Sequence, residues 1–269
     1  MDTTQRNAVR GLIHQPHGLI LVSGAAGAGK TTTQYAIMSA LSDGTRRINS
    51  IEDPVEYDLG GVHQTQTNTR IGLDFCDLLP AVLRQDPDVI VVGEVRDSVT
   101  AQTTLRAAVT GQLVFATLHA NSAAGAIHSM LGLGVHEYLL AGALRGVIAQ
   151  HLIRRICPHC VESLEPTARL NMFEGLREQL PDGATPVLHQ GRGCEECRHT
   201  GYLGRTGLFE VLTGTPAIRR LIECRKAPDL IEAQAIKDRM VPLRTQAKIA
   251  VATGVTAIEE AMRVIDMQG

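Results

Sequence analysis

A glycine-rich segment that ends in a lysine and a threonine has the clearest chemical pattern in this chain. Residues 19–33 read LILVSGAAGAGKTTT, in which Gly24, Gly29, Lys30 and Thr31 match G-x-x-x-x-G-K-[ST]. Glycines let backbone N–H groups turn toward phosphate oxygens, and a helix that begins near the lysine points its positive end at the same anion. The alternative is a chance Gly-Lys-Thr in a loop, but an apolar run of strand length precedes the pattern and a helical segment follows it.

These residues predict a site for a nucleotide and its metal ion. The Lys30 ammonium would contact the β- and γ-phosphates, and the Thr31 hydroxyl would bind Mg²⁺. The predicted nucleotide-binding residues are Gly24, Gly27, Gly29, Lys30, Thr31 and Thr32.

Glu94 and His119 each follow an apolar run of strand length. Glu94 comes after DVIVVG, residues 88–93, where a carboxylate could bind Mg²⁺ through water or polarise the attacking water. It could instead be a strand-end acid paired with Arg96. His119 follows residues 113–118 and could hydrogen-bond the γ-phosphate, although a lone histidine at a strand end is often an ordinary polar group.

Three acids form a cluster after another predicted strand, residues 46–51. Glu52, Asp53 and Glu56 lie close together in sequence. One of them could orient the attacking water, because hydrolysis needs a base or a water-positioning group near the γ-phosphate. Each could also be a turn or cap residue. Glu52 and Glu56 are the catalytic candidates from this cluster.

Four cysteines form two C-x2-C pairs. Cys157 and Cys160 make one pair and Cys194 and Cys197 the other, with 33 residues between the pairs. Four thiolates at such spacing are typical of a tetrahedral Zn²⁺ site. Unrelated buried thiols or a redox pair are the alternatives.

Alternating strands and helices are predicted to position these residues. Predicted helices span residues 5–13, 32–41, 74–84, 99–110, 123–131, 136–152 and 167–179, with Asp74 as an N-cap and Pro80 as an interruption of the third. Predicted strands are the run before the glycines and residues 46–51, 88–93 and 113–118, while residues 60–68 are predicted as a hairpin or loop. From residue 214 onward the chain is predicted to be helical.

This alternation predicts an α/β fold with a parallel sheet and helices on both faces. Ligands of such sheets bind at the carboxyl ends of the strands. Here those ends carry the glycine-rich segment, residues 52–56, Glu94 and His119. Four separate segments are therefore expected to bring polar residues to one edge of the sheet.

The composition is that of an ordinary globular protein. Hydrophobic residues make up 44% of the chain and charged residues 20%, with a net charge of −2. This charge gives no general attraction to nucleic acid or anionic lipid. Because no apolar run is long enough to span a bilayer and no signal-peptide core is evident, we expect a cytoplasmic location.

Five sequence blocks extend the pattern to most of the chain. They are GAAGAGKTTT (24–33), SIEDPVEY (50–57), LRQDPDVIVVGEVRD (83–97), TGQLVFATLHAN (110–121) and CEECRHTGYLGRTGLFEVL (194–212). Together they resemble the Walker A, Asp box, Walker B, His box and metal-subdomain segments of the GspE/PilB-like secretion and type IV pilus assembly ATPases, within the type II/type IV secretion superfamily. The resemblance extends from about residue 18 to residue 264.

The resemblance implies a RecA-like P-loop NTPase core with a small tetracysteine zinc subdomain and a C-terminal helical bundle. The core is predicted at residues 1–153, without the N-terminal half of the family. The zinc-binding subdomain is predicted at residues 154–204 and the helical subdomain at residues 205–269.

The function implied is that of an ATP-driven motor subunit that powers type II secretion or the assembly of a type IV pilus or pseudopilus. The resemblance makes Glu94 the Walker B acid, Glu56 a candidate for activating water and His119 a sensor of the γ-phosphate. The implied cofactors are ATP, Mg²⁺ and Zn²⁺. The implied partners are further copies of the chain in a homo-hexamer and an inner-membrane platform protein of the GspF/PilC type, on the cytoplasmic face of the membrane. The tetracysteine module favours the assembly and secretion branch over retraction ATPases that resemble PilT.

Departures from the family pattern leave two other functions open. Gln112 replaces the first histidine of the His box, and Pro80 and His151 stand where arginines are frequent. Only 17 residues precede Gly18, where the family carries an N-terminal half that supplies arginines in trans. We therefore expect this chain to bind ATP but hydrolyse it slowly unless an N-terminal-half protein acts in trans. These departures favour one alternative, a truncated or degenerate regulatory paralogue. The other is a nucleic-acid translocase, since zinc ribbons and RecA-like cores also occur in that class, but the near-neutral charge and scarce aromatics disfavour it.

Overall fold

Buried apolar runs form most strands of the central sheet in the computed structural model, which describes residues 1–164 and 188–266. The described strands are β1 Gly18–Ser23, β2 Ile48–Glu52, β3 Val62–Gln66, β4 Val89–Val92, β5 Leu113–Leu118, β6 Leu144–Ile156, β7 Val161–Leu164, β8 Leu188–Gly191 and β9 Tyr202–Thr213. Seven of these described strands form one sheet in the order β3-β2-β4-β5-β1-β6-β9, and β7 pairs with β8.

The helices follow the strands in alternation through the first part of the chain. The described helices are α1 Thr3–Ile13, α2 Lys30–Leu41, α3 Phe75–Leu83, α4 Ser98–Val109, α5 Ala123–Gly132, α6 Glu137–Ala143, α7 Pro216–Glu223, α8 Pro228–Lys237, α9 Leu243–Ala252 and α10 Ile258–Asp266. None of the helices in these described residues is long and apolar enough to cross a membrane.

The α/β fold with a parallel sheet is confirmed. Strand β1 runs parallel to β5, with Ile20 beside Phe115, and parallel to β6, with Ile20 beside Gly146. Strand β4 pairs in parallel with both β2 and β5. Every residue of β1, β2, β4 and β5 is buried, as expected where helices cover both faces of a parallel sheet.

The predicted helix over residues 74–84 has the predicted cap but no interruption. The carboxylate of Asp74 accepts a hydrogen bond from the backbone N–H of Phe75, and α3 then continues through Pro80. A proline inside a helix removes one backbone hydrogen bond. Phe75, Leu79 and Val82 are buried in α3, and their packing offsets that loss.

Two predicted elements are wrong. Residues 136–152, predicted as one helix, form the short helix α6 and then strand β6, because Val147, Ile148 and Ile153 are β-branched side chains buried in a sheet. Residues 60–68, predicted as a hairpin or loop, contain β3, which pairs in parallel with β2 at the edge of the sheet. An edge strand is covered less than a central one, which explains its polar sequence.

The chain forms two compact units, each made of separate segments. Unit 1 consists of Met1–Gln150 and Glu210–Met240, and unit 2 of His151–Phe209 and Val241–Gly269. Unit 1 contains the first five strands and α1 to α8. The division into residues 1–153, 154–204 and 205–269 stays a prediction.

Unit 2 contains the two C-x2-C cysteine pairs. Strands β7 and β8 are antiparallel, with Val161 opposite Gly191, so the cysteine pairs before β7 and after β8 lie at one end of the ladder. The helix predicted over residues 167–179 lies outside the described residues.

Candidate nucleotide site

The phosphate loop between β1 and α2 has a backbone that only glycine fits at two positions. Gly24 has a φ of +154°, and a Cβ there would lie 2.5 Å from the carbonyl oxygen of Gln150 and 2.8 Å from the Cβ of Ala28. Gly29 is the N-cap of α2 in the left-handed conformation, with a φ of 87°. These glycines let the chain turn sharply from the strand into the helix, so the first N–H groups of α2 stay available to an anion.

Gln150 supports this loop from the neighbouring strand β6. Its side chain is buried, and its Nε2 donates to the carbonyl oxygen of Ala28 at 2.7 Å. The hydroxyl of Thr33 donates to its Oε1 at 2.7 Å. Gln150 therefore holds both the end of the loop and the first turn of α2.

The Lys30 side chain folds back onto the backbone of the phosphate loop. Its Nζ donates to the carbonyl oxygens of Gly24 at 2.7 Å and Ala25 at 3.1 Å, and lies 3.4 Å from Nδ1 of His119. Burial lowers the pKa of Lys30, and the negative charge of Glu94 partly opposes this effect. The ammonium is thus held at the point where the phosphate loop and the end of β5 meet.

Glu94 contacts both His119 and Arg96 just beyond the end of β4. Its Oε1 lies 2.6 Å from Nε2 of His119, and its Oε2 lies 2.5 Å from the NH2 atom of Arg96. Burial opposes ionisation of Glu94, but the hydrogen bond and charge of Arg96, with the charges of His119 and Lys30, outweigh it and lower its pKa. The pairing with Arg96 that the sequence left open is present, and it coexists with the contact to His119.

Glu52 is a buried acid whose two oxygens both accept hydrogen bonds. Tyr35 Oη donates to Oε2 at 2.5 Å, while Ser50 Oγ and Gln64 Nε2 donate to Oε1 at 2.5 Å and 2.9 Å. The side chain links α2, β2 and β3. Burial and the hydrogen bond to Glu52 raise the pKa of Tyr35.

Glu56 has different surroundings although it lies in the same acidic segment. Its backbone N–H donates to Tyr35 Oη at 2.9 Å, and the rings of Tyr35 and Tyr57 lie 4.5 Å apart. The residue is exposed and lines the same cavity as Lys30 and Glu94. Tyr35 therefore fixes the backbone at Glu56 while leaving its carboxylate exposed.

One cavity receives side chains from all four predicted segments. It is lined from the phosphate loop and α2 by Gly27, Lys30 and Thr31, from the acidic segment by Glu52, Asp53 and Glu56, and from the ends of β4 and β5 by Glu94 and His119. Thr32 is exposed and is not among these lining residues. A loop of N–H donors, an ammonium, a threonine hydroxyl and carboxylates together fit a nucleotide phosphate with Mg²⁺.

Three residues that support this site were not predicted from the sequence. Tyr35 and Gln64 hold Glu52, and Gln150 holds the loop. Tyr35 lies four residues after Thr31 in α2, and this helical spacing to a predicted ligand offered a signal. Gln150 lies in a segment that was predicted to be helical. Its position in a strand beside β1 was therefore not predicted.

The four cysteines come together in unit 2. Their Sγ atoms all lie within 4.8 Å of one another, with 3.9 Å between Cys157 and Cys194 and 3.8 Å between Cys160 and Cys197. Four sulfurs about 2.3 Å from a tetrahedral Zn²⁺ would be about 3.8 Å apart. Hydrogen bonds led by the backbone N–H of Cys194 lower the pKa of Cys197 to about 6, whereas burial raises the pKa of Cys160 to about 12. The donor set fits a soft, tetrahedrally coordinated metal ion.

The fold and the site together define a P-loop NTPase of the RecA-like class. The sequence profile described as "Type II/IV secretion system protein" matches residues 1–263. The chain belongs to this family.

Named relatives cover nearly all of this chain. "Type II secretion system protein E" of Aeromonas hydrophila is 43% identical over 266 residues, which are 98% of this chain and 52% of the relative. "Type II secretion system ATPase E" of Vibrio cholerae is 40% identical over 264 residues, again 98% and 52%. The chain therefore spans about half the length of the curated relatives it matches.

Solved structures agree with this fold. The pilus retraction motor PilT, determined with bound ADP, is 28% identical with a TM-score of 0.71 over 98% of this chain and 64% of PilT. The ATPase DotB of Legionella pneumophila has a TM-score of 0.69 at 19% identity over 97% of this chain and 63% of DotB, which supports the fold alone.

Proposed function

We propose that this chain is the ATP-hydrolysing part of a motor that powers type II protein secretion or type IV pilus or pseudopilus assembly. The observation that carries the proposal is the meeting of Lys30, Glu94 and His119 beside the phosphate loop, with 3.4 Å from Lys30 Nζ to His119 and 2.6 Å from His119 to Glu94. A cation and a carboxylate are groups that phosphoryl transfer to water uses, and the imidazole of His119 lies between them here.

Each group has a role in this proposal. Lys30 would bind the β- and γ-phosphates, and Thr31 would hold Mg²⁺, which neutralises charge on the transferred phosphoryl group. Glu94 would act as the Walker B acid, and Glu56 would accept the proton of the attacking water. His119 would lose a hydrogen-bond partner when the γ-phosphate leaves, and so would sense hydrolysis.

The remaining predicted nucleotide ligands supply the loop itself. Gly24, Gly27 and Gly29 would let backbone N–H groups face the phosphates, and Thr32 would extend the first turn of α2. Glu52 is proposed as a positioning residue, because its oxygens already accept hydrogen bonds from Tyr35, Ser50 and Gln64.

The test is phosphate release from ATP, measured for the wild-type chain, Lys30→Ala and the exposed control Lys226→Ala. Each chain is assayed alone and mixed with Aeromonas hydrophila type II secretion system protein E whose own phosphate-loop lysine has been replaced. We expect release above the Lys30→Ala level for the wild type and the control, and a higher rate in the mixture because arginines from a neighbouring subunit accelerate hydrolysis by orders of magnitude. Intact ATP binding with Lys30→Ala levels of release in both settings would instead identify a regulatory paralogue.

The motor is proposed to work as a homo-hexamer on the cytoplasmic face of the inner membrane. Its membrane partner would be a platform protein of the GspF/PilC type, and a protein carrying the N-terminal half of the family could act in trans. Membership of the secretion family supports this assignment. Nucleic acid is not a proposed partner, since the net charge is −2.

Zn²⁺ is the proposed metal of the cysteine cluster. Cys157, Cys160, Cys194 and Cys197 would bind it as four thiolates, and the sulfur spacing supports this choice. The ion would link the two cysteine pairs and stabilise the fold of unit 2 rather than take part in hydrolysis.

A further inference from the structure

A second cavity of unit 1, here called the amino-edge cavity, lies at the edge of the sheet opposite the phosphate loop. His17 directly precedes β1, and Arg145 is the second residue of β6, which runs parallel to β1 with Leu144 beside Leu19. The phosphate loop follows the other, carboxyl end of β1. The two cavities share no lining residue.

Two guanidinium groups line the amino-edge cavity without an acid to pair with. Arg145 donates from Nε to the carbonyl oxygen of His17 and from NH1 to that of Gly142, each at 3.0 Å. Arg219, from α7, has a buried Nε with no hydrogen-bond acceptor among the described residues. Glu223 also lines the cavity, but within the described parts of the chain neither arginine has a carboxylate within 4.0 Å.

This arrangement is costly for a protein without a ligand. Burial, with the positive charge of Arg219, lowers the pKa of Arg145. A buried donor without an acceptor is also unfavourable, because it has lost its hydrogen bonds to water. An anion placed between the two guanidinium groups would relieve both costs, and arginine pairs with carboxylate through two parallel hydrogen bonds.

The rim of the cavity is apolar, which favours an anion that carries an apolar group over a free inorganic anion. Val109, Tyr138 and Leu139 line it with exposed fractions of 49%, 68% and 40%. A free inorganic anion would leave these side chains in water. A peptide in which an acidic residue adjoins a bulky apolar one would cover them and also pair with the arginines.

We propose that the amino-edge cavity is a docking site for a partner-protein segment in which Asp or Glu adjoins a large apolar residue. The carboxylate pairs with Arg145 and Arg219. The apolar side chain packs on Tyr138 and Leu139. This surface recognises a protein partner independently of ATP, since it lies away from the nucleotide cavity.

The test uses two fluorescein-labelled peptides, Ser-Glu-Leu-Phe-Gly and its matched form with Gln in place of Glu. Their binding to the whole chain is followed by fluorescence anisotropy at low salt. We expect the Glu peptide to bind at least ~10-fold more tightly than the Gln peptide, because a charge-assisted hydrogen bond contributes at least about the free energy of a tenfold change in affinity. Arg219→Gln should abolish this preference, and Arg220→Gln, which changes the adjacent exposed arginine of α7, should keep it.

Two further measurements separate docking from simpler explanations. Arg219 makes no hydrogen bond through its buried Nε, so Arg219→Gln should not lower the thermal unfolding midpoint, and a loss of binding then cannot be a loss of fold. Tyr138→Ala should weaken binding of the Glu peptide several-fold. Equal affinity for both peptides, no saturable binding of either, or full binding by Arg219→Gln would overturn the proposal. Displacement of the peptide by inorganic phosphate with no effect of Tyr138→Ala would assign the cavity to a free anion and overturn it too.

Discussion

Glu52 and Glu56 show how two acids in one short segment acquire different roles. Glu52 is 4% exposed and receives three hydrogen bonds, whereas Glu56 is exposed at the wall of the nucleotide cavity. Among the described residues the Glu56 carboxylate forms no hydrogen bond or ion pair. Of these two carboxylates, that of Glu56 is therefore the one open to an approaching water molecule.

Substituting each glutamate by glutamine should separate these roles. Glu56→Gln should lower the rate of phosphate release by about 100-fold or more while leaving the free energy of unfolding unchanged, since general-base catalysis contributes about 10²–10⁴-fold. Glu52→Gln should cost about 1–3 kcal/mol of unfolding free energy, because a charged acceptor buried among donors is removed. Phosphate release and urea unfolding are the measurements. Equal losses of activity without a loss of stability in both variants would contradict this division.

The charge of Glu94 should appear in the pH dependence of stability. Its pKa in the folded chain is lowered by Arg96, His119 and Lys30 against the effect of burial. A lowered pKa gives a stabilising contribution that is complete above the ordinary value of about 4.3 and disappears as the pH falls through the folded-state value.

Urea unfolding at pH 7 and at successively lower pH values would measure this contribution. The difference in unfolding free energy between the wild type and Glu94→Gln should be largest near neutral pH and should shrink as the pH falls below about 4. Asp58→Asn, at an exposed acid, serves as the control and should show a much smaller change. If the difference in unfolding free energy between the wild type and Glu94→Gln stayed constant across the pH series, the ion pairs of Glu94 would be excluded as the cause of that difference.

Strand β6 is the element that sets the phosphate loop. Gln150 donates to Ala28 and accepts from Thr33, and its backbone oxygen would clash with any Cβ at position 24. Gln150→Leu keeps the size of the side chain but removes both hydrogen bonds. We expect it to weaken ATP binding by roughly 5–30-fold, equivalent to 1–2 kcal/mol.

The matched variant Thr33→Val removes only one of those hydrogen bonds and should weaken binding less. Anisotropy of a fluorescent ATP analogue would measure both affinities. An unchanged dissociation constant for Gln150→Leu would show that β6 does not control the loop.

Strand β1, the phosphate loop and helix α2 could be predicted well from the sequence. Strands β3 and β6 could not. Strand β1 is a continuous apolar run, which is typical of a buried parallel strand. The glycine, lysine and threonine pattern that follows it is specific to phosphate loops. Residues 144–156 carry apolar side chains at spacings that suit a helix as well as a buried strand, so only their pairing with β1 decides between the two. Residues 62–66 are polar because they lie at an edge, and polar alternation is typical of loops as well.

The candidate site was predictable where chemistry demands a residue type and unpredictable where support comes from a distant segment. Lys30, Glu94 and His119 follow strands and so share one edge. The hydrogen bond from Gln150 to Ala28 joins residues 122 positions apart in sequence. No local pattern encodes such a contact, because it depends on the order of strands in the sheet.

The whole molecule divides its two chemical sites between its two units. The nucleotide cavity is built from unit 1, and the four cysteines belong to unit 2. Metal removal should therefore act locally. We expect one zinc ion per purified chain by mass spectrometry.

Chelation should raise hydrogen exchange in residues 157–164 and 188–201 and leave exchange in residues 18–31 little changed. Cys160→Ser should reproduce this pattern, whereas Cys224→Ser, at an exposed cysteine outside the cluster, should not. Absence of zinc, or a uniform rise in exchange over both units, would refute the local role of the metal.

The interleaving of the two units also constrains the order in which a ribosome can complete them. Unit 1 needs Glu210–Met240, so it stays incomplete until all four cysteines have been synthesised. Among the late contacts is the Glu210 carboxylate, which accepts from the backbone N–H of Ala123 at 2.7 Å at the start of α5. During translation unit 1 therefore remains incomplete while the cysteine segment emerges from the ribosome. Unit 1 can be complete only once residue 240 has been synthesised.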